Sequence, residues 1–578
     1  MLALLLHVRE RKAIAGLANQ QLPLQTGNFM EVQRRSRLKV WTPLAAAVIM
    51  VLGMTLGFRL HDTLRSKRDI NNAVERNDHL EQIIDLIQQN YVDSVNSNAI
   101  YGDAVKGILS HLDPHTVYIP AEDLAGVNED LEGSFFGIGI EYAIIRDTIE
   151  VTYVVPEGPS EKAGLQIGDR LIRVNDTLVA GNGINSGKIT RMLRGEQRTD
   201  VHVLVRSLAE LNQRTVSIVR DEVPLVSVDA AFLLDPKTGY IKVNRFSATT
   251  YTEFAKELKD LKRKGAANLI LDLRQNPGGY LDAARNIADE FLDDQKLIVY
   301  TKSLHEKPEE YKAENPGMFE QGRLILLLDE GSASATEILA GAIQDWDRGI
   351  IIGRRSFGKG LVQQQYDLEN GAALRLTIAR YYTPSGRSIQ RSFKSGKQAY
   401  EEAFEQRFKT GELTGKDSIV KEDTQTYYTL RNHRIVHGGG GIKPDVYVPY
   451  DSSHLSPALL NMMVSDGIQE AEWDYYATNL KTLKSFQNIG DFIRGFNEAE
   501  QVLNAYLKSL SPSEKMLAGS VLQRKASKDY FILQIRSQIG RMLFSNNGYY
   551  SVAAQGDDVI QKALQLIHSP QYDQLLRH

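Results

Sequence analysis

Cysteine is absent from all 578 residues. Its absence excludes disulfides, thiolate metal sites and a cysteine nucleophile, and it suits an oxidising compartment. An excess of one charge is also lacking: the formal net charge is -4 and the pI about 6.4. Nothing here is the electrostatic footprint of a nucleic-acid partner. No His-Glu-x-x-His pair occurs, so a zinc-dependent hydrolase has no support, and neither a metal nor a cofactor is called for. Gly353-x-x-x-x-Gly358-Lys359 comes close to a phosphate-binding loop, but Gly360 stands where Mg²⁺ coordination needs serine or threonine. His437-Gly-Gly-Gly-Gly441 imitates the oxyanion loop of some esterases, yet no Gly-x-Ser-x-Gly accompanies it.

What is present begins with one apolar run. Val40–Phe58 carries no charge and is long enough to cross a bilayer as a helix. Arg34, Arg35, Arg37 and Lys39 precede it and Arg59, Arg65, Lys67 and Arg68 follow, so charge alone gives little orientation. No clear small-x-small cleavage site follows directly, which favours an uncleaved anchor after a cytoplasmic segment, residues 1–39. A chain this long exceeds one hydrophobic core, and its pattern predicts four folded parts. Leu80, Ile83, Ile84, Ile87 and Tyr91, then Ala104, Val105, Ile108, Leu109 and Leu112, recur at helical spacing and give a helical region over 70–132. Strand-like segments alternate with turns over 133–221. An α/β layered pattern fills 222–450, with apolar strands at Asn268–Leu273, Leu324–Leu328, Gly349–Gly353 and Ala373–Ile378. Beyond it, residues 451–578 read as a C-terminal helical domain, with Phe492, Phe496, Ala499, Leu503 and Leu507 on one stripe.

Three short stretches carry chemistry. Gly331-Ser-Ala-Ser-Ala-Thr-Glu337 places Ser334 at the mouth of a predicted helix, where the Ala335 N–H and the helix dipole favour negative charge. Read alone, Ser334-x-x-Glu337 is a capping box, and Ser332 is a rival within the same turn. Gly353-Arg-Arg-Ser-Phe-Gly-Lys-Gly-Leu-Val-Gln363 supplies Lys359 and, one turn on, Gln363. A lysine is a base only when neutral, so its pKa must fall from about 10.4 towards neutrality, a cost of about 4 kcal/mol for roughly three units. The pocket is therefore expected to be apolar and free of carboxylates, as Phe357, Leu361 and Val362 suggest, with Gln363 aiming the amine without adding charge. Asp272-Leu-Arg-Gln-Asn-Pro-Gly-Gly279 offers Gly278 and Gly279, whose N–H groups can approach a reacting carbonyl because no Cβ intervenes.

Phe135-Phe-Gly-Ile-Gly-Ile140, followed by Pro159-Ser-Glu-Lys-Ala-Gly-Leu-Gln-Ile-Gly-Asp-Arg-Leu-Ile-Arg-Val-Asn175, resembles a PDZ domain. The resemblance assigns Phe135, Phe136, Gly137, Ile138, Gly139 and Ile140 to a loop that binds a peptide's terminal carboxylate while the peptide adds a strand to the sheet edge. With the Ser334, Lys359 and Gly278 stretches and Tyr381-Tyr-Thr-Pro-Ser-Gly-Arg-Ser-Ile389, the chain from about Ile83 to Pro449 resembles a carboxyl-terminal processing peptidase, or tail-specific protease. The resemblance implies an α+β multidomain protein with a crotonase- or Clp-protease-like layered core. It makes Ser334 the nucleophile, Lys359 the base and Gln363 its orienting partner, with Ala335 and Gly278 or Gly279 as oxyanion donors. It further implies protein substrates with free C-termini, an inner-membrane anchor with catalytic domains in the periplasm, and an adaptor or second copy as further partners. The alternative from another class is a catalytically silent, membrane-anchored PDZ scaffold.

Overall fold

The structure, a computed structural model, describes residues 79–577 apart from 184, 208–211, 294, 416–424 and 451–455. The expected anchor over 40–58 and the segment before it lie outside the described residues. Among the described residues no helix is long and apolar enough to cross a membrane. The chain divides into two units at Tyr101/Gly102. Of the first, residues 79–90 form a helix and the helix Ser97–Leu109 begins.

The second unit holds the remaining parts. A PDZ-like sheet runs Ile140–Ile145, Thr148–Val154, Arg170–Val174, Asp200–Arg206 and Gln213–Val219, each antiparallel to its neighbour, with Ile140–Ile145 at the edge. Valines at alternating positions build its core, as in Val201, Val203 and Val205, which pack with Ile189 and Leu193 of the helix Ser186–Leu193.

The largest core is built on a six-stranded sheet ordered Val228–Asp235, Thr238–Val243, Asn268–Asp272, Leu324–Leu328, Ile350–Gly353 and Val446–Tyr447. After the first antiparallel pair all neighbours are parallel. A parallel sheet buries both faces, which is why Leu324–Leu328 reads as unbroken leucine and isoleucine and is wholly buried. Helices Thr250–Arg263, Leu281–Asp289 and Ala335–Asp345 cover one face around Phe254, Ile287 and Leu339. The other face, bearing Tyr240, Ile270, Ile325 and Ile352, is covered by Asp558–Ile567 and Gln571–Arg577. These last helices thus belong with the core sheet, although their sequence places them in the C-terminal helical stretch. A second sheet contains Leu361–Asp367, Ala373–Tyr382 and Leu297–Lys302.

The helices from Pro457 to the first part of Lys525–Ala553 share a core of their own around Trp473, Phe492, Phe531 and Ile535. Ile145 and Ala143 of the PDZ edge strand pack into that same cluster, and Glu141 pairs with Arg541 at 2.6 Å. The helix Lys525–Ala553 breaks at Phe544 and Ser545, whose φ is 57°. There its two halves approach so closely that a Cβ on Gly548 would lie 2.1 Å from the Gly540 carbonyl.

Candidate active site

The loop after the strand Asn268–Asp272 is fixed before any chemistry is considered. Asp272 is buried; its carboxylate accepts the Tyr240 hydroxyl at 2.8 Å and pairs with Arg274 at 2.5 Å. The Arg274 guanidinium, beside a carboxylate it cannot escape, holds the Asp272 carboxyl well below the usual range against the opposing cost of burial. Arg274 also reaches Asp557 at 2.9 Å, the residue that caps the helix Asp558–Ile567. Asn276 then joins two of the three stretches: its carbonyl accepts the Ala333 N–H at 3.0 Å and the Thr336 hydroxyl at 3.0 Å.

Packing at this junction leaves no room for a side chain. A Cβ on Gly278 would sit 2.8 Å from Ser334 Cβ and 2.9 Å from the Ala335 nitrogen. Of the two expected glycine donors, Gly278 is already engaged, because its N–H donates to Asn276 Oδ1 at 2.9 Å. The N–H groups of Gly279 and Ala335 donate to no acceptor among the described residues. Both line the same cleft as Ser334.

Ser334 has φ 57° and ψ −116°, a conformation that a non-glycine residue adopts only when its surroundings impose it. Ser334 and Glu337 stand in capping-box positions, and the Glu337 carboxylate accepts the Ser334 N–H at 2.9 Å. The Glu337 N–H also donates to the Ser334 carbonyl at 2.8 Å. The rival Ser332 is fully buried, and its hydroxyl donates to the Leu273 carbonyl at 2.9 Å, so it is committed to the turn.

Lys359 lines the cleft with Ser334, and its amine donates to Gln363 Oε1 at 2.7 Å. Burial lowers the amine's pKa from its ordinary value, and the Arg375 guanidinium adds to this. Two expectations need correction here. Gln363 is not one helical turn on: it lies on the strand Leu361–Asp367, where the ladder with Ala373–Tyr382 slips between Val362 and Gln363. Lys359 lies just ahead of that strand, so its contact with Gln363 owes nothing to a shared helical face. Nor is the pocket free of carboxylates, since Asp113 and Glu337 both oppose the lowering. Burial and Arg375 outweigh them. No hydrogen bond joins Ser334 Oγ to the Lys359 amine among the described residues.

Sequence reasoning missed two residues that hold this geometry. Glu337 is wholly buried, and burial pushes its carboxyl up to about 7, opposed by hydrogen bonds from Ser356 and from the Lys359, Gly358 and Ser334 backbone. The Gly358 and Lys359 N–H groups reach it at 2.7 and 2.8 Å. The backbone that imitated a phosphate loop is therefore filled by the protein's own carboxylate. Its signal was the Glu of the capping box. Tyr381 donates to the Ser334 carbonyl at 3.0 Å and lies against the Lys359 carbonyl, tying the Ser334 and Lys359 segments together. Gln363 in turn donates to the His115 carbonyl, and burial beside Lys359 pushes the His115 imidazole down to about 4.

The expected tail-binding loop is in part a strand. Ser134–Gly137 pairs antiparallel with Asp221–Pro224, which occupies Phe135 and Phe136 in a ladder, and the Phe135 ring lies 4.4 Å from the Arg194 guanidinium. Ile138 is buried in the PDZ core, while Gly139 takes φ 74°. The N–H groups of Ile138 and Gly139 find no acceptor among the described residues, just before the edge strand that starts at Ile140.

The model of peptidase family S41 matches residues 237–398. That of the PDZ domain matches 150–207, and that of the activating protease CtpB N-terminal domain matches 54–123. The carboxy-terminal-processing protease of Bartonella bacilliformis is 32% identical over 312 residues, covering 53% of this chain and 71% of that protein. The carboxyl-terminal-processing protease of a Picosynechococcus species is 34% identical over 50% of this chain and 70% of its own length. The carboxy-terminal processing protease CtpB of Bacillus subtilis is 32% identical over 54% and 65%. On the fold, the cleft and this likeness over more than two thirds of a relative, the chain belongs to peptidase family S41, among the carboxy-terminal-processing proteases.

Proposed function

We propose that this chain is a serine endopeptidase that selects proteins by their C-terminal residues and cuts them with a Ser334–Lys359 dyad. The observation that carries the reading is one cleft of about 880 Å³ bringing together Ser334, the amine of Lys359 lowered by burial, and the unengaged N–H groups of Ala335 and Gly279. The PDZ domain takes the tail through its edge strand and the Ile138 and Gly139 N–H groups. Neutral Lys359 accepts the hydroxyl proton as Ser334 Oγ attacks the scissile carbonyl, and the oxyanion is held by the Ala335 and Gly279 N–H groups. Collapse passes that proton to the departing amine and leaves an acyl ester on Ser334. Lysine then deprotonates a water, which attacks the ester; as the acyl C–O bond breaks the acid is freed and the proton on Lys359 returns to Ser334 Oγ. Gln363 holds the amine until substrate arrives; a tail bound at the PDZ domain brings it within reach of Ser334, as gating loops do elsewhere.

Lys359→Ala tests the reading: peptide-bond cleavage is lost while binding of a tail peptide is retained. Cleavage unchanged in that variant contradicts the dyad, and no cleavage by the parent chain favours a silent scaffold. The apolar run Val40–Phe58 anchors the chain with its catalytic domains in the periplasm. Support comes from its length and lack of charge, and deletion of 40–58 releases the protein from the membrane fraction. Retention there contradicts the anchor.

A further inference from the structure

A second cavity, of about 930 Å³, lies where the PDZ domain, the core and the C-terminal helices meet. Its walls include Glu141 and Tyr153 of the PDZ sheet, Asp229 of the core, and Glu472 and Trp473 of the helix Asp466–Leu483. Glu472 is the group that needs explaining. It is 7% exposed and has no hydrogen bond or ion pair among the described residues. Burial alone acts on its carboxyl and pushes it up to about 8. A buried carboxyl without a donor forfeits its hydration and gains nothing in return, so an unpaired one in a cavity wall is a place where a ligand belongs.

The charges around it define that ligand. Arg541 is taken by Glu141 at 2.6 Å and Arg245 by Asp130 at 3.0 Å. Asp229 is in no ion pair among the described residues and is held only by the Tyr550 hydroxyl at 3.1 Å and the Asn244 amide at 2.6 Å. Asp229 has Lys242 and Arg245 as neighbouring cations, whereas Glu472 has none, so the cavity presents one buried carboxyl without a charged partner beside the rings of Trp473 and Tyr549, which suits the aliphatic stem and charged tip of a lysine or arginine. Ser545, held at φ 57° in the broken helix, lines the same space, so strain is stored at its rim. Finally, Asn244 and Arg245 line both this cavity and the Ser334 cleft. The two spaces therefore border each other at those two residues.

We propose that this cavity is a second substrate subsite, in which Glu472 receives a basic side chain of the polypeptide whose scissile bond lies at Ser334. The proposal rests on the peptidase reading above, and its test separates the two. The probe is an extended peptide with an apolar C-terminal residue and one lysine moved a position at a time, beside the same peptides with norleucine there. Binding is measured by anisotropy to the full chain carrying Ser334→Ala, which needs no cleavage. At one position lysine binds tighter than norleucine by about tenfold or more, the scale of a charge-assisted hydrogen bond, and adding Glu472→Gln removes the difference. A photoreactive lysine analogue at that position crosslinks to residues 469–473, a readout independent of any change at Glu472. No lysine preference at any position, a preference that survives Glu472→Gln, or crosslinks confined elsewhere overturns the subsite. Failure of the parent chain to cut any of these peptides overturns the peptidase reading and leaves the binding result to stand by itself.

Discussion

Lys359 acts as a base only while uncharged, so pH reports directly on its surroundings. Burial and Arg375 lower its pKa, and therefore kcat/KM rises with pH up to an inflection below the ordinary lysine value of 10.5. Below that inflection the rise approaches tenfold per unit. Gln363→Glu sets a carboxylate against the amine, stabilises its charged form, and moves the inflection to higher pH with a lower rate at pH 7. An inflection unmoved in that variant would mean that Gln363 does not face the base in the working enzyme. At the oxyanion side, Gly278→Ala drives a methyl to within 2.8 Å of Ser334 Cβ and 2.9 Å of the Ala335 nitrogen. Displacing one donor in this way lowers kcat by about a hundredfold or more, measured at saturating peptide.

Between the strand Asn268–Asp272 and the helix Leu281–Asp289, the loop that presents Gly279 is held from beneath by Asp272, Arg274 and Asp557. Removing one partner of a buried pair strands the other, so Asp272→Asn destabilises the fold by about 3–5 kcal/mol, read from urea unfolding. Because the folded carboxyl titrates below its ordinary value of 3.8, its contribution is present above that pH and lost as pH falls below it; the variant's deficit shrinks in the same window. Elements like these differ in how far the sequence reveals them. Leu324–Leu328 is legible because a strand buried on both faces must be apolar throughout. The strand Leu361–Asp367 is not: Val-Gln-Gln-Gln has neither the helical nor the strand period, and only its partner Ala373–Tyr382 decides. Ser334, Lys359 and the glycine pair were visible as residue types in spaced turns. That Asn276 consumes the Gly278 N–H and that Glu337 clamps the lysine turn depend on contacts between distant segments, which no local pattern encodes.

Across the molecule, the chain after Asp451 serves two cores. Its earlier helices close around Trp473 and Phe492 and press on the PDZ edge strand, while the last two seal the back of the core sheet. The stripe that marks each helix as amphipathic is the same in both cases, which is why sequence groups them as one domain. Ending the chain after Gly556 exposes Tyr240, Ile270, Ile325, Leu327, Ile350 and Ile352 together, and such truncated protein aggregates rather than accumulating as soluble monomer. Soluble, active protein of that length would show that the two helices are dispensable cover. The central claim, that Ser334 is acylated with Lys359 as its base, is tested most directly by mapping the covalent intermediate. Wild-type chain mixed with an activated ester of a peptide is quenched in acid and digested, and the added acyl mass is located. The account predicts it on Ser334, increasing with pH before the quench and missing from Lys359→Ala. Acyl mass on Ser332 or another residue, or on Ser334 in equal amount without the lysine, contradicts it.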